Sequence, residues 1–179
     1  MGIIISCFTG CGREFLKNTH GDKVKVFDAV AEMPLTDIDG KVNGDLLESY
    51  FNKVMSVVDE NDIVFVDAST VVRNKLNENN VDYDIFYPSA ERRGEFIENQ
   101  VRKRTKPTVI RDLDKNFEKW VDEIENDESP NCYKHKLSNQ GEFIGNSPVI
   151  MQYIDSVKNE QHNETMAQPP RSEEDDEAN

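Results

Sequence analysis

Residues 2–14, with the sequence GIIISCFTGCGRE, decide the fold. Their first part, GIIISCF at 2–8, is apolar, rich in β-branched residues and too short for a buried helix, which is typical of a strand buried on both faces of a parallel sheet. The run ends at the glycine turn Thr9-Gly10-Cys11-Gly12, which we expect to lead into a helix. In this setting backbone amides and a helix N-terminus can bind phosphate oxygens. We therefore predict a central strand followed by a candidate phosphate-binding turn.

Short apolar runs alternate with stretches of helical period along the rest of the chain, as in a parallel sheet flanked by helices. The predicted strands after the first are 23–29, 62–68, 82–87 and 132–137. The predicted helices are 45–58, 69–79, 90–104, 112–126 and 147–158. The pattern predicts an α/β protein with a mostly parallel sheet of about five strands, whose alternation is interrupted by two successive helices within 89–126.

The charge of the chain is strongly negative and concentrated at its end. The 179 residues include 35 Asp and Glu against 21 Lys and Arg, which gives a formal charge of −14. Residues 160–179 contain seven acidic residues, one arginine and a single large apolar side chain, Met166. Such a composition cannot offset the entropy lost on ordering. We predict one domain over 1–159 and a disordered acidic tail over 160–179.

Several classes of protein are excluded by composition. No stretch approaches the roughly 18 uncharged apolar residues of a membrane span, and the opening MGIIISCF has no basic region for a signal peptide. An odd number of cysteines, Cys7, Cys11 and Cys132, favours reduced thiols, and their spacing does not favour a zinc site. The acidic balance disfavours a broad nucleic-acid-binding surface. We expect a soluble, cytoplasmic protein with no membrane partner.

Five segments carry a likeness to a known family. They are IIISCFTGCGREFL, KVFDA, DIVFVDASTVVRNKL, YDIFYPSAERRGEFIENQVRKR and NFEKWVDEI. In their order and spacing, over roughly residues 2–145, the sequence resembles a family of small P-loop kinase-like proteins that is common in bacteriophages and related to nucleoside monophosphate kinases. The resemblance implies a three-layer nucleotide-kinase fold that binds ATP and Mg²⁺, with residues 89–126 closing over the phosphates as a lid.

The turn departs from the phosphate-loop pattern G-x-x-x-x-G-K-[ST] and is a degenerate Walker A loop. Gly12 is kept, Gly10 is an additional matching glycine, and Cys7, Arg13 and Glu14 replace the glycine, lysine and hydroxyl residues. The resemblance makes Gly10, Cys11, Gly12, Arg13 and Glu14 the candidate nucleotide-binding residues. Arg13 keeps the positive charge but spreads it over a plane. Glu14 either repels a phosphate or binds Mg²⁺. The alternative is an ordinary exposed charge pair in the first turn of a helix.

The resemblance also assigns roles outside the turn. Asp67 ends the strand VFVD at the position where the family binds Mg²⁺; the alternative is a carboxylate that caps the next helix. Asp28 would orient an acceptor hydroxyl or act as general base. Arg73 would bind an acceptor phosphate, and the alternative is a surface salt bridge.

The segment 92–111 has seven cations and two acids, an unusual excess for this chain. Positive charge is what a lid needs against a triphosphate, and the resemblance carries Arg102 or Arg104 over to that role. The alternative is a solvated basic helix, or one that contacts a partner.

Two functions of different classes follow. The first is a nucleotide-kinase-like phosphotransferase in the cytoplasm of a host bacterium, with catalytic Arg13, Asp28 and Asp67. Its acceptor would be a nucleoside, a nucleotide or a polynucleotide end. The second is a catalytically inactive P-loop scaffold, an acidic phage protein that binds a host protein.

Overall fold

The computed structural model describes residues 2–30, 35–37 and 39–167 of the chain. In these ranges the strands are β1 (Ile3–Cys7), β2 (Val26–Asp28), β3 (Ile63–Asp67), β4 (Tyr83–Pro88) and β5 (Cys132–Leu137). The α-helices are α1 (Arg13–His20), α2 (Gly44–Val57), α3 (Thr70–Glu78), α4 (Arg93–Arg102), α5 (Pro107–Glu125) and α6 (Pro148–Ala167). Single 3₁₀ turns lie at Val58–Glu60, Ala90–Arg92 and Ile144–Asn146.

The strands form one parallel sheet in the order β2-β3-β1-β4-β5. The α/β class predicted from the alternating pattern is confirmed. The strand predicted as central, β1, is the middle strand, and Ile5 within it has no exposed surface. Because the strands are parallel, their carboxyl ends meet at one edge, where Cys7 is paired with both Asp67 and Phe86.

The connections place the helices in two layers. The crossover from β1 to β2 runs in the direction opposite to the later crossovers, so right-handed connections put α1 on one face and α2, α3 and α5 on the other. The 3₁₀ turn Ile144–Asn146 packs against both α1 and α6, which adds α6 to the α1 face. The change of direction after β1 makes its carboxyl end the topological switch point, where ligands bind in open α/β sheets.

The helices predicted as a lid are packed into the core in this conformation. Phe96 of α4 and Phe117 of α5 are almost fully buried, and both make edge-to-face contacts with Phe8, which directly follows β1. Their ring centroids lie 6.2 and 5.1 Å from that of Phe8. Aromatic contacts at such distances add to the free energy gained from burial. The glycine turn therefore lies beneath α4 rather than under a separate, open flap.

Two predicted helix boundaries are wrong by five residues or more. Helix α5 begins at Pro107 rather than at 112, because proline is favoured at the first helical position, where no backbone donor is needed. Helix α6 continues to Ala167 instead of ending at 158, and so extends into the predicted tail. Once a helix is nucleated, each further residue costs little, so polar residues can extend it beyond its packed part. The remainder of the predicted tail, 168–179, lies outside the described residues.

Arg104 occupies a backbone conformation that normally favours glycine. It lies just after α4 with φ 55°, in a Schellman-type ending where Thr105 N–H donates to Gln100 O at 3.1 Å. We expect Arg104→Gly to raise the free energy of unfolding by about 0.5–1 kcal/mol by removing the Cβ strain. Urea unfolding measures the change.

A second helix ending provides the control. Asn80 has φ 53° after α3 with the same hydrogen-bond pattern, but asparagine tolerates this conformation, so Asn80→Gly should gain less. Arg104→Ala keeps the Cβ and removes the charge. An equal gain from Arg104→Ala would show that charge, and not backbone strain, limits stability at this position.

Candidate functional site

The candidate site lies at the carboxyl edge of the sheet, around the turn that follows β1. Next to the turn is an open cleft of about 620 Å³, bounded by the ends of β1 and β3 and by α3 and α5. The cleft is lined by side chains of all four elements and of the turn, among them Thr9, Asp67, Arg73, Lys119, Trp120 and Glu123. The turn and cleft together occupy the switch point of the sheet.

Both glycines of the turn are required by conformation and by packing. Gly10 has φ 91° and Gly12 has φ 94°, in the region that disfavours any residue with a Cβ. A Cβ on Gly10 would lie 2.9 Å from Gln100 Nε2, and one on Gly12 would lie 3.1 Å from Phe143 Cβ. The turn is thus held closely between α4 and the segment that precedes α6.

The backbone of the turn presents several amide donors. Cys11 N–H donates to Phe8 O at 3.1 Å, and the first bond of α1 runs from Leu16 N–H to Gly12 O at 3.0 Å. Within the described ranges, the amides of Gly10, Gly12, Arg13 and Glu14 have no protein acceptor. Successive amides of this kind at the start of a helix form a concavity that suits an anion.

The two cysteines at the turn have a structural role. Cys7 and Cys11 are buried, and burial raises the pKa of both thiols well above the usual value, so they stay neutral. The Cys11 Sγ lies 3.4 Å from Phe86 O, and Cys11 O accepts from Ile144 N–H at 2.9 Å. Cys11 therefore ties the turn to β4 and to the segment before α6.

Arg13, which replaces the lysine of the phosphate loop, forms an ion pair with Asp28. Its Nη1 donates to Asp28 Oδ1 at 2.8 Å, and about a third of each side chain is exposed. Val30 N–H also donates to Asp28 Oδ1, at 3.1 Å. The structure thus brings together two of the predicted catalytic residues, although the sequence did not predict this pair. Glu14 lies beside them in the first turn of α1 and is exposed.

Asp67 turns its carboxylate toward the start of α3. Its Oδ1 accepts from Ser69 N–H at 2.7 Å, as in the helix-capping alternative. Its own N–H donates to the hydroxyl of Tyr50 at 3.2 Å, and burial raises the pKa of Tyr50. In the described part of the chain, Asp67 Oδ2 makes no hydrogen bond. One carboxylate oxygen at the strand end therefore remains available to a ligand.

Arg73 is buried and fully engaged with the protein. Only 2% of the residue is exposed, and its Nη1 forms an ion pair with Asp127. Its Nε donates to Ala68 O at 3.2 Å, and its Nη2 donates to Thr70 Oγ1 at 3.2 Å. The chain thus contains the salt bridge named as the alternative, buried between α3 and the loop before β5 instead of at the surface.

The basic residues carried over from the lid do not contact the turn. Arg102 is 69% exposed in its side chain and pairs with Glu98 at 2.7 Å, while Arg104 is exposed beyond the end of α4. The α4 residues that approach Gly10 are Phe96 and Gln100. Gln100 is buried, and its Oε1 accepts from Thr105 Oγ1 at 2.8 Å.

A buried arginine that the sequence did not single out supports the turn. Arg92 is 5% exposed, and its guanidinium lies 5.1 Å from the ring of Phe96 and 5.3 Å from that of Phe143. It donates to both carboxylate oxygens of Glu95, at 2.8 and 2.9 Å, and to the carbonyl oxygens of Leu137 and Glu142. These hydrogen bonds from Arg92 lower the pKa of Glu95. The i, i+3 spacing of Arg92 and Glu95 is the sequence feature that could have predicted this ion pair.

The resemblance to P-loop kinases remains a prediction from the sequence. No family model matches the chain, and no curated protein matches it significantly. Within the described ranges, no group of three or more His, Cys, Asp or Glu could hold a metal ion. No helix of the described part is both long enough and apolar enough to cross a membrane.

Proposed function

We propose that the chain is a nucleotide-kinase-like protein that binds ATP or a related nucleotide at the glycine turn. It then transfers the terminal phosphoryl group to an acceptor in the adjoining cleft, a nucleoside, a nucleotide or a polynucleotide end. The observation that carries the proposal is that the amides of Gly10, Gly12, Arg13 and Glu14 have no acceptor among the described residues, at the switch point of a parallel sheet. The resemblance stated above supports the same assignment.

The predicted residues of the turn and of the strand ends have roles in this proposal. The amides of Gly10, Gly12, Arg13 and Glu14 bind the phosphates, and the Arg13 guanidinium leaves Asp28 to bind the transferred phosphoryl group. Asp28 then accepts the acceptor's proton. The free oxygen of Asp67 suits Mg²⁺, which commonly binds one or two carboxylates together with substrate phosphates, and exposed Glu14 is the second candidate ligand. When bound, Mg²⁺ supplies positive charge at the phosphates.

A second candidate function is a catalytically inactive scaffold that binds a host protein. The specific observation in its favour is that predicted functional side chains already have protein partners, Arg13 with Asp28, Arg73 with Asp127 and Arg102 with Glu98. An ancestral phosphate loop that no longer binds nucleotide would tolerate such pairs. The two candidates differ in whether any nucleotide binds.

Thermal unfolding with ATP and GTP, each with and without Mg²⁺, tests the proposal. Ligand at about 100 times its dissociation constant stabilises the folded state by about 2.7 kcal/mol, which raises the Tm of a chain of this size by about 5 °C or more. We expect a rise of this order that depends on Mg²⁺. No rise with either nucleotide would contradict the proposal and favour the scaffold.

Variants of α1 identify the bound site. Arg13→Ala should abolish the nucleotide-dependent rise and any ATP turnover, because it removes the one cation at the start of the helix. Arg13→Lys keeps the charge and should retain binding. Lys17→Ala, on the exposed part of the same helix, is the matched control. An unchanged Tm rise in Arg13→Ala would place the nucleotide elsewhere.

A further inference from the structure

In the part of the chain that the structure describes, the two cations that line the cleft beside the turn, Arg73 and Lys119, each face an acidic side chain. The charged side chains that line it, in the part of the chain that is described, are Asp67, Arg73, Lys119 and Glu123. A phosphomonoester group is usually bound by cationic side chains or by several amide donors whose hydrogen atoms face it. Whether Arg73 and Lys119 can bind a phosphate therefore decides whether the acceptor is a nucleotide or an unphosphorylated nucleoside.

The donors of Arg73 already form hydrogen bonds to protein groups. Asp127, Ala68 O and Thr70 Oγ1 receive hydrogen bonds from Nη1, Nε and Nη2. The side chain is only 3% exposed, and Asp127 neutralises its charge. A phosphate could recruit it only by leaving Asp127 as an unpaired buried carboxylate, which is strongly unfavourable.

Lys119 is the other cation that lines the cleft, and two acidic side chains line the same cleft. Its Nζ is 3.8 Å from Glu123 Oε1, and a second acid, Asp67, lines the same cleft. Glu123 Oε2 accepts from Thr70 Oγ1 at 3.2 Å, which holds this carboxylate toward α3. The Lys119 side chain is 70% exposed, but a phosphate that it bound within the cleft would lie near the Glu123 carboxylate, whose like charge disfavours it.

Two aromatic side chains, Trp120 and Phe8, line part of the cleft. Trp120 is partly buried, lines the cleft, and makes an edge-to-face contact with Phe8 at 6.2 Å between ring centroids. Thr9 and Ser69 add hydroxyl groups, and the lining also includes Cys7, Thr36, Gly40, Ala68, Val71 and Ile124. Flat rings with hydroxyl substituents complement such a surface, because base-aromatic stacking is favourable and hydroxyls can pair with hydroxyls.

We infer that the cleft binds an unphosphorylated nucleoside rather than a nucleotide. The inference rests on the proposed function and narrows its acceptor class. In the reaction, the nucleoside hydroxyl oxygen forms a bond to the terminal phosphorus of ATP while the bond from that phosphorus to the bridging oxygen breaks. The hydroxyl proton passes to Asp28. The products are a nucleoside monophosphate and ADP.

The chain contains a single tryptophan, Trp120, so its fluorescence reports directly on the cleft. We would titrate the full chain with adenosine, guanosine, cytidine and thymidine, and with the four 5′-monophosphates, correcting for ligand absorbance with free tryptophan. At least one nucleoside should change the emission with a Kd about tenfold or more below that of its monophosphate.

The acid next to Lys119 provides a variant with a specific effect. Glu123→Gln keeps the acceptor for Thr70 Oγ1 but releases Lys119, so it should strengthen binding of the monophosphates several-fold relative to that of the nucleosides. Glu118→Gln removes an exposed acid from α5 outside the cleft lining and is the matched control. A merely structural role of Glu123 would not change the preference between the two ligand classes.

The outcomes separate the inference from the proposed function. Nucleoside binding without any ATP-dependent rise in Tm would support the inference and overturn the kinase proposal. Monophosphates that bind as tightly as nucleosides, or tighter, would overturn the inference while ATP binding at the turn still stood. An ATP-dependent rise with no fluorescence response to any nucleoside would also overturn it.

Discussion

Arg92→Ala should lower the free energy of unfolding by about 3–5 kcal/mol, because it removes a buried cation and leaves its partners unpaired. Both oxygens of Glu95 and two carbonyl oxygens lose donors, and the rings of Phe96 and Phe143 lose the cation that contacts both of them. Glu95 also accepts from Gly141 N–H at 2.9 Å, so the loss extends to the loop after β5.

The neighbouring arginine is the control for this effect. Arg93 pairs with Asp114 at 2.8 Å, but both side chains are about half exposed, so Arg93→Ala should cost at most about 1 kcal/mol. Urea unfolding of both variants measures the difference. If Arg92→Ala leaves too little folded protein, Arg92→Lys keeps one charge without the forked geometry and should give an intermediate loss. Equal losses for Arg92 and Arg93 would contradict the role assigned to burial.

The strands were predictable because each is encoded by its own residues. The runs 2–8, 62–68 and 132–137 are bounded by turn residues or polar stretches, and each contains the strand that the structure has there. Parallel pairing followed from the helices between successive strands, since short hairpins would have been needed for antiparallel neighbours. These signals are local, and a single sequence contains them.

Helix ends depend on signals that compete. The apolar stripe of α5 starts beyond Pro107, and periodicity therefore placed the start of the helix too late. Composition predicted disorder from 160, but composition reports the ability to form a core and says little about extension of a helix that is already anchored. Apolar periodicity and composition both report which residues can pack in a core, and neither reports where a helix backbone begins or ends.

Side-chain partners could not be predicted, because charge is visible in a sequence and pairing is not. Arg13 and Asp28 lie at the ends of different elements, and only the parallel sheet and the α1 crossover bring them to 2.8 Å. Gln100 and Phe143 reach the glycine turn from α4 and from the segment before α6. Nothing in the sequence around Gln100 or Phe143 indicates that these side chains contact the glycine turn. The candidate turn was therefore predictable, and its surroundings were not.

The surroundings matter because they determine how rigid the turn is. Backbone bonds of Cys11 to Phe8 and Ile144, and the packing of Gln100 and Phe143 against the glycines, hold the amides in one arrangement. A preorganised set of donors loses little entropy on binding an anion. The same packing serves a scaffold equally well, so stability measurements alone do not separate the two candidate functions and ligand titrations are needed.

Arg73→Met should lower the free energy of unfolding by about 3–5 kcal/mol at neutral pH, because it leaves Asp127 without its buried partner. The matched control, Arg102→Met, breaks an exposed pair with Glu98 and should cost no more than about 1 kcal/mol. Asp127→Asn and the double variant complete a cycle, in which the pair should show a coupling of about 0.5–3 kcal/mol. Additive losses would show that the two side chains act independently.

The same pair sets an expected pH dependence. Burial acts to raise the pKa of Asp127, but hydrogen bonds from Ser129 and the charge of Arg73 outweigh it and lower the pKa from the usual 3.8. A carboxyl group with a lowered pKa in the folded state stabilises the fold fully above its unfolded pKa, and this contribution is lost as pH falls through the lower, folded value. The stability gap between the unsubstituted chain and Asp127→Asn should therefore be full at neutral pH and narrow in acid below about 3.8. Urea unfolding across this range measures it, and a gap that stays constant into acid would show that Asp127 is not held ionised by Arg73.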